Sequence, residues 1–168
     1  MEPLSTRSVD SPITHPRHIR RPTMAYVAAN YMSHKDAPVG KWVCAPTSTL
    51  GPLAQAPTGT DSQGPHFCGQ CVSYVKTVCP SLPATSMWKR GPAIKGSFQV
   101  LSGTVIATFN EAGQYEGHAA IYVNQHERGI TVYDQWITPP TPKAVGPRLL
   151  RFGASGRSNN GDLFHVVE

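Results

Sequence analysis

The sequence predicts an α+β fold in which one helix precedes a five-stranded, mostly antiparallel sheet. Apolar residues recur at helical spacing over residues 71–78. From residue 103 to the C-terminus, five short segments are instead rich in β-branched and aromatic residues. Several of these segments are separated by short gaps, which favour hairpins over parallel crossovers. We therefore expect an N-terminal helix packed on a sheet.

The chain divides into a tail and one domain of ordinary size. Residues 1–23 contain few large apolar side chains and no sustained periodicity, so we predict a disordered tail there and a folded domain over residues 24–168. Within the domain, residues 46–65 are rich in Pro, Gly and Thr, which predicts an extended surface loop.

The predicted helix carries Cys71 in its first turn. Val72, Val75 and Val78 lie near one another at helical spacing, Gly69 precedes them, and Cys79-Pro80 ends the segment. A short helical turn is predicted over residues 85–91. The strands that follow are predicted at Gly103–Phe109, His118–Val123, Gly129–Trp136, Arg148–Phe152 and Leu163–Val167.

Composition excludes several classes of function. The 15 Lys and Arg residues outnumber the 10 Asp and Glu residues and give a net charge of +5, but they are too dispersed to indicate nucleic-acid binding. No apolar run is long enough to span a bilayer, and the N-terminus has no apolar segment typical of a cleaved signal peptide. Four cysteines are too few for a disulfide scaffold, so each thiol is considered individually.

Cys71 is the candidate nucleophile. A thiolate in the first turn of a helix is favoured by the free N–H groups and the positive end of the helix dipole. The preceding Gly69 would let a substrate carbonyl approach the backbone, and the N–H of Cys71 would then donate to an oxyanion. A buried hydrophobic role is the ordinary alternative for a cysteine in an apolar helix.

His118 and Asp134 are the candidate base and orienting residue. His118 opens a predicted strand directly after Gly117, from which an imidazole can reach the start of the helix. Asp134 lies in the next strand and can stand beside His118 in an antiparallel pair. In a regular strand Gln135 would point to the opposite face, so only one of the two could orient the imidazole.

Three segments resemble the papain-like CHAP (cysteine, histidine-dependent amidohydrolase/peptidase) and NlpC families. Residues 69–75 (GQCVSYV) resemble the nucleophile segment, residues 117–123 (GHAAIYV) the histidine strand, and residues 132–136 (VYDQW) the strand with the orienting residue. The whole of residues 24–168, including residues 158–162 (SNNGD), looks closer still to small bacterial amidase-like proteins associated with type VI secretion. The resemblance implies a papain-like fold and hydrolysis of amide bonds in bacterial peptidoglycan.

The resemblance also implies roles for individual residues. Cys71 would be the nucleophile, His118 the general base and then acid, and Asp134 the orienting residue, where CHAP proteins often have Glu or Asn. Gln70 would be a second oxyanion donor, with Gln135 and Trp136 on the oxyanion and substrate side.

The same resemblance implies partners and a location. The substrate would be a peptidoglycan stem peptide, the producing cell would hold an immunity protein, and the protein would be made in the cytoplasm and exported by a type VI-like route into the periplasm of a target cell. Neither a cofactor nor a metal is expected. A catalytically silent papain-like binding module is the alternative from another class.

The remaining cysteines leave several possibilities open. Cys68 and Cys71 form a Cys-x-x-Cys, which could be a redox pair of a thiol oxidoreductase. His66, Cys68, Cys71 and Cys79 would supply the four ligands of a structural zinc, although a metal-bound thiolate could not attack a substrate. Otherwise, a disulfide could join Cys44 to Cys79, or Cys68 to either, and leave Cys71 free.

Overall fold

A computed structural model describes residues 24–57, 67–137 and 141–168. The tail predicted over residues 1–23 lies outside the described residues, as does His66. In the described part, no helix is long and apolar enough to cross a membrane.

One α-helix, α1 (Cys71–Val78), has the bounds that the sequence predicts. It begins after Gln70, whose extended backbone marks the N-cap. Tyr74, Val75 and Val78 are buried on its inner face, so packing stabilises a helix whose valines are only fair helix formers. The expected turn at residues 85–91 is shorter, a 3-10 turn over Thr85–Met87.

Within the described residues the main sheet has six strands, where the sequence predicts five. In the order of pairing they are β3 (Arg90–Ala93), β8 (Phe164–Val167), β4 (Val105–Phe109), β5 (Tyr115–His126), β6 (Gly129–Trp136) and β7 (Lys143–Arg151), and every neighbouring pair is antiparallel. The unpredicted strand β3 contains Pro92, which cannot donate to a neighbouring strand. Proline is tolerated there because β3 is at the edge of the sheet.

Two strands begin earlier than the sequence predicted, and both early ends contribute to the site. Strand β5 begins at Tyr115 instead of His118, and β7 begins at Lys143 instead of Arg148. The segment predicted as an extended loop also contains part of a small hairpin, formed by β1 (Trp42–Val43) and β2 (Leu53–Ala54). Backbone hydrogen bonds between Gly40, Lys41 and Val145 tie the start of this hairpin to β7.

The described residues form two buried clusters, one on each face of the sheet. Val105 and Ile121 belong to the cluster that includes the helix residues Tyr74 and Val75. Alternate strand residues such as Ile106 pack in the second cluster. Burial on one face therefore fixes α1 against the central strands β5 and β6, which carry His118 and Asp134.

Candidate active site

Cys71 lies at the point where α1 meets the sheet. Its side chain is buried, with 8% of the residue exposed. The first turn of the helix contains no acidic residue that would oppose a thiolate. Its Sγ atom is 3.5 Å from the hydroxyl of Tyr115, and it interacts with the imidazole of His118 by charge and by hydrogen bonding.

His118 is held between Cys71 and Asp134. Its Nε2 is 2.8 Å from Oδ2 of Asp134, which leaves Nδ1 as the ring nitrogen for the cysteine. The backbone N–H of His118 donates to Oγ1 of Thr108 at 3.0 Å. Gly117 has a φ of +109°, and a Cβ there would come within 2.5 Å of the same Oγ1. The glycine is therefore required at this point of β5, where the pairing with β4 is irregular and the chain presents the imidazole.

Asp134 is completely buried among cations. Its Oδ2 accepts hydrogen bonds from Nε and Nη2 of Arg148 at 2.9 and 2.6 Å, and Nζ of Lys143 is 3.4 Å from Oδ1. Burial favours the neutral acid, but the hydrogen bond from His118 and the charges of His118, Arg148 and Lys143 hold the pKa of Asp134 below its usual value. Asp134 is therefore an anion that can fix the imidazole.

Arg148 is itself fixed by the segment that contains the SNNGD sequence. Its Nη1 donates to Oδ1 of Asn159 at 2.8 Å, and its Nη2 donates to the carbonyl of Ser158 at 3.1 Å. The guanidinium lies 4.3 Å from the ring centre of Trp136. Because its donors are distributed over these partners, Arg148 holds the carboxylate in one orientation.

The ionisation of Cys71 and His118 is coupled. Burial opposes a charge on Cys71, but the charge and the hydrogen bond of His118 lower the pKa of the thiol to about 7. Burial likewise opposes a charge on His118, whereas the charge of Cys71 and the hydrogen bond to Asp134 raise the pKa of the imidazole to about 9. Between these values the stable form is a thiolate beside an imidazolium.

The structure places Gln135 away from the cleft. It is fully buried, as is Asp134, because both faces of the sheet are covered and neighbouring residues of a strand point to opposite faces. Its side chain accepts from the N–H of Val43 and donates to the carbonyls of Val43 and Gln70, each at 2.9 Å. Gln135 therefore positions the residue that precedes the nucleophile.

Gly69 is required for packing, not for the approach of a substrate as the sequence suggested. Its φ is +90°, and a Cβ there would meet Ile137 and would lie 3.0 Å from Pro57 and 3.1 Å from Trp42. The backbone before α1 therefore lies against the hairpin and the end of β6.

Two grooves meet at Cys71. One has a volume of about 640 Å³ and is lined by residues that include Pro46, Phe67, Gln70, Val72 and Tyr115. The other has a volume of about 380 Å³, and its lining includes His118, Trp136, Arg148, Arg157 and Asn159. Gln70 and Cys71 line both grooves, so an extended chain could pass over the sulfur from an apolar arm to a polar one.

Tyr115, Lys143 and Arg148 are the residues near the site that sequence reasoning missed. Arg148 was noted only as the start of a strand, and the other two stood outside the predicted strands. The sequence offers one signal for Arg148: it is a charged residue in an otherwise apolar strand segment, Arg148-Leu149-Leu150. Arg148 is aimed at Asp134 by its pairing with Val132 in the regular part of the β6–β7 ladder, and this register has no sequence signature.

A disulfide joins Cys44 to Cys68, and Cys71 and Cys79 are free and buried. This is one of the pairings left open by the sequence. With Cys68 bonded to Cys44, neither the Cys68–Cys71 redox pair nor the Cys68-containing zinc site is formed. Among the described residues, no cluster of three or more His, Cys, Asp or Glu could hold a metal ion.

The family of the chain follows from comparison with known proteins. Residues 29–167 match the model of the family described as domesticated amidase effector 2 (Dae2). The chain belongs to this family. It is 39% identical to domesticated amidase effector 2 of Ixodes scapularis over 104 residues, which are 59% of this chain and 70% of that protein.

Bacterial type VI proteins are similar as well. The chain is 32% identical to the type VI secretion amidase effector 2 protein of Salmonella typhi over 130 residues, which are 68% of this chain and 95% of that protein. A solved structure of type 6 secretion amidase effector 2 (Tae2) matches with a TM-score of 0.52 and 32% identity, covering 59% of this chain and 80% of that one. The resemblance to amidases associated with type VI secretion is thereby confirmed, and Cys71, His118 and Asp134 all lie within the matched residues 29–167.

Proposed function

We propose that this member of the Dae2 family is a papain-like cysteine amidase that hydrolyses amide bonds in the stem peptides of bacterial peptidoglycan. The observation that carries the proposal is the position of His118, whose ring lies between the Cys71 thiol and the Asp134 carboxylate with Nε2 2.8 Å from Oδ2. This is the arrangement of nucleophile, base and orienting group that acyl transfer requires.

The proposed reaction has two steps. The Cys71 thiolate attacks the peptide carbonyl carbon, a C–S bond forms, and the carbonyl oxygen takes the negative charge. The backbone N–H of Cys71 and the side chain of Gln70 are the proposed oxyanion donors. The imidazolium of His118 then gives its proton to the leaving nitrogen as the C–N bond breaks, and a water molecule activated by the neutral imidazole hydrolyses the thioester.

Each of the other predicted site residues receives a role in this proposal. Asp134 keeps the His118 ring oriented and its positive charge compensated, and Gln135 holds the carbonyl of Gln70. Trp136 forms part of the polar groove beside His118 and is proposed to contact the substrate. No step requires a cofactor.

The proposal also includes a biological role, in which the protein is exported and acts on other bacteria. The relatives named for type VI secretion support an antibacterial effector that acts on the cell wall of a target cell, and an immunity protein in the producing cell is a proposed partner.

Digestion of purified peptidoglycan tests the proposal. The wild-type protein should release new free amino groups, and mass spectrometry should identify cleaved stem peptides. Cys71→Ala should abolish release, whereas Cys79→Ala, which removes the other free buried thiol, should retain it. Full cleavage by Cys71→Ala would refute the proposed nucleophile, and binding of the wild-type protein without cleavage would favour a catalytically silent module.

A further inference from the structure

Tyr115 is a polar side chain beside the Cys71 sulfur and has no role in the proposed reaction. Its hydroxyl oxygen is 3.5 Å from Sγ of Cys71 and 3.4 Å from the carbonyl oxygen of Gly117, to which it can donate. The ring packs edge-to-face against the buried Trp88, with ring centres 4.9 Å apart, and lines the apolar groove. The hydroxyl is therefore held at one place, within reach of two acceptors of different strength.

We propose that Tyr115 is a catalytic residue whose hydroxyl donates a hydrogen bond to the Cys71 thiolate and turns back to the Gly117 carbonyl when the sulfur loses its charge. The inference rests on the proposed function only in assigning the nucleophile to Cys71. A thiolate is a far stronger acceptor than a thiol or a thioester, so the preferred partner of the hydroxyl depends on the state of the sulfur.

The proposed change is a reorientation of one O–H group with no proton transfer. In the resting state the hydroxyl donates to the thiolate. When the sulfur attacks, the C–S bond forms, the electron pair of the carbonyl moves to its oxygen, and the sulfur becomes neutral. The Tyr115 proton stays on its oxygen throughout, since burial and the neighbouring Cys71 raise the pKa of the phenol. Tyr115 is thus a donor and not a base.

The charged and titratable groups around Cys71 define what else acts on it. Among the described residues, His118 on β5 acts directly on Cys71, and Asp134 on β6 lies behind it with the cations of β7, Lys143 and Arg148. The other charged groups are the Glu116–Arg157 pair beside Gly117 and Lys76 of α1, which lines the apolar groove. Tyr115→Phe leaves all of these groups in place and keeps the ring against Trp88. Any change in the thiol is then attributable to the lost hydroxyl.

The test is the rate of Cys71 alkylation by iodoacetamide against pH, measured on the full chain of the wild-type protein and of the Tyr115→Phe variant. Loss of a hydrogen bond to a charged group should raise the midpoint by about one pH unit. A more basic thiolate is also more nucleophilic, so the plateau at high pH should be about threefold higher while the rate near pH 6 is about threefold lower. The two profiles should therefore cross, which loss of packing alone would not produce.

The control is Tyr122→Phe, which removes a hydroxyl from the same strand in the second core cluster, on the other face of the sheet from α1. It should leave the alkylation profile unchanged. A second variant, with 3,5-difluorotyrosine at position 115, keeps the ring and the hydroxyl but makes the hydroxyl a stronger donor, and it should lower the midpoint.

The outcomes separate this inference from the proposed function. An unchanged midpoint in Tyr115→Phe, or a midpoint in the fluorinated protein that moves upward, would overturn the inference whether or not peptidoglycan is cleaved. Shifts in the expected directions together with no cleavage of peptidoglycan by the wild-type protein would support the Tyr115 contact and refute the proposed amidase activity.

Discussion

Arg148 donates two hydrogen bonds to Oδ2 of Asp134, the same oxygen that lies 2.8 Å from the ring of His118. One buried oxygen thus joins the imidazole on β5 to a guanidinium on β7. The arrangement keeps the carboxylate charged without solvent, and it makes the carboxylate dependent on its partners.

The first prediction follows from that dependence. Arg148→Met should lower the free energy of unfolding by about 3 kcal/mol, because breaking a buried ion pair leaves a carboxylate with too few partners. Urea denaturation followed by circular dichroism measures the change. The matched control is Arg157→Met in the same groove, whose ion pair with Glu116 is partly exposed and should contribute less than about 1 kcal/mol. Equal losses in the two variants would contradict this account of Arg148.

A second prediction concerns the charge of Asp134. Asp134→Asn keeps an oxygen that can accept from His118 but removes the anion that stabilises the imidazolium. The pKa of His118 should therefore fall from about 9, and the rate of peptidoglycan cleavage should drop by about 100-fold, as expected for impaired acid–base catalysis. Titration of the His118 ring by NMR measures the pKa. Asp162→Asn, which affects an ion pair with Lys95 outside the site, is the control and should change neither quantity.

The third prediction is a bell-shaped dependence of kcat/KM on pH. Activity should rise as Cys71 loses its proton at about pH 7 and fall as His118 loses its proton at about pH 9. Initial rates on a soluble stem-peptide fragment at constant ionic strength provide the profile. Activity that stays constant across both of these values would be inconsistent with a reactive thiolate–imidazolium pair.

Gln135 carries a fourth prediction. Gln135→Leu should destabilise the fold by about 1–3 kcal/mol, since it leaves the buried N–H of Val43 without a partner. The carbonyls of Val43 and Gln70 lose one hydrogen bond each but keep the N–H groups of Gly69 and Tyr74. The substitution should also reduce kcat, because the residue before Cys71 is no longer held. Gln125 is the control: it also bridges two backbone groups, the N–H of Gly96 and the carbonyl of Ser97, far along the chain from Cys71. Gln125→Leu should reduce stability but not kcat. A similar loss of kcat in both variants would contradict the role of Gln135 in positioning the residue before Cys71.

The disulfide supports a fifth prediction. Cys44 and Cys68 are 24 residues apart, and opening the loop that they close should cost about 3 kcal/mol of stability through the entropy of the unfolded chain. Cys44→Ser should therefore lower the Tm while peptidoglycan cleavage persists below the new Tm. If hydrolysis instead disappeared while the protein stayed folded and Cys71 could still be alkylated, the Cys44–Cys68 disulfide would contribute to catalysis as well as to stability.

The fold could be predicted from the sequence where local signals decide it. The helix Cys71–Val78 was predicted with its observed bounds, because a glycine, a periodic apolar face and a Cys-Pro pair define it locally. Strand β3 was missed, because Gly91 and Pro92 oppose a strand and only pairing with β8 at the edge of the sheet stabilises one.

The site was predictable only in part for a similar reason. Cys71, His118 and Asp134 stand in short motifs, and the structure brings them together. Whether Gln135 faces the substrate or the core depends on the segments that cover its face of β6, which include Val43 and Gln70. The approach of Tyr115 and Arg148 depends on sheet register. Such tertiary relationships leave no pattern in a single sequence.

The activation of Cys71 by His118 is tested by measuring the rate of alkylation by iodoacetamide against pH in the wild-type protein and in His118→Ala. Mass spectrometry identifies the modified residue, and the pH midpoint of Cys71 alkylation is compared between the two proteins. The midpoint should lie near pH 7 in the wild-type protein. In the variant, where burial acts without the imidazolium, the midpoint should lie above the value of about 8.5 of an ordinary thiol. The same midpoint in both proteins would show that the imidazole does not activate the sulfur, and the proposed catalytic pair would be wrong.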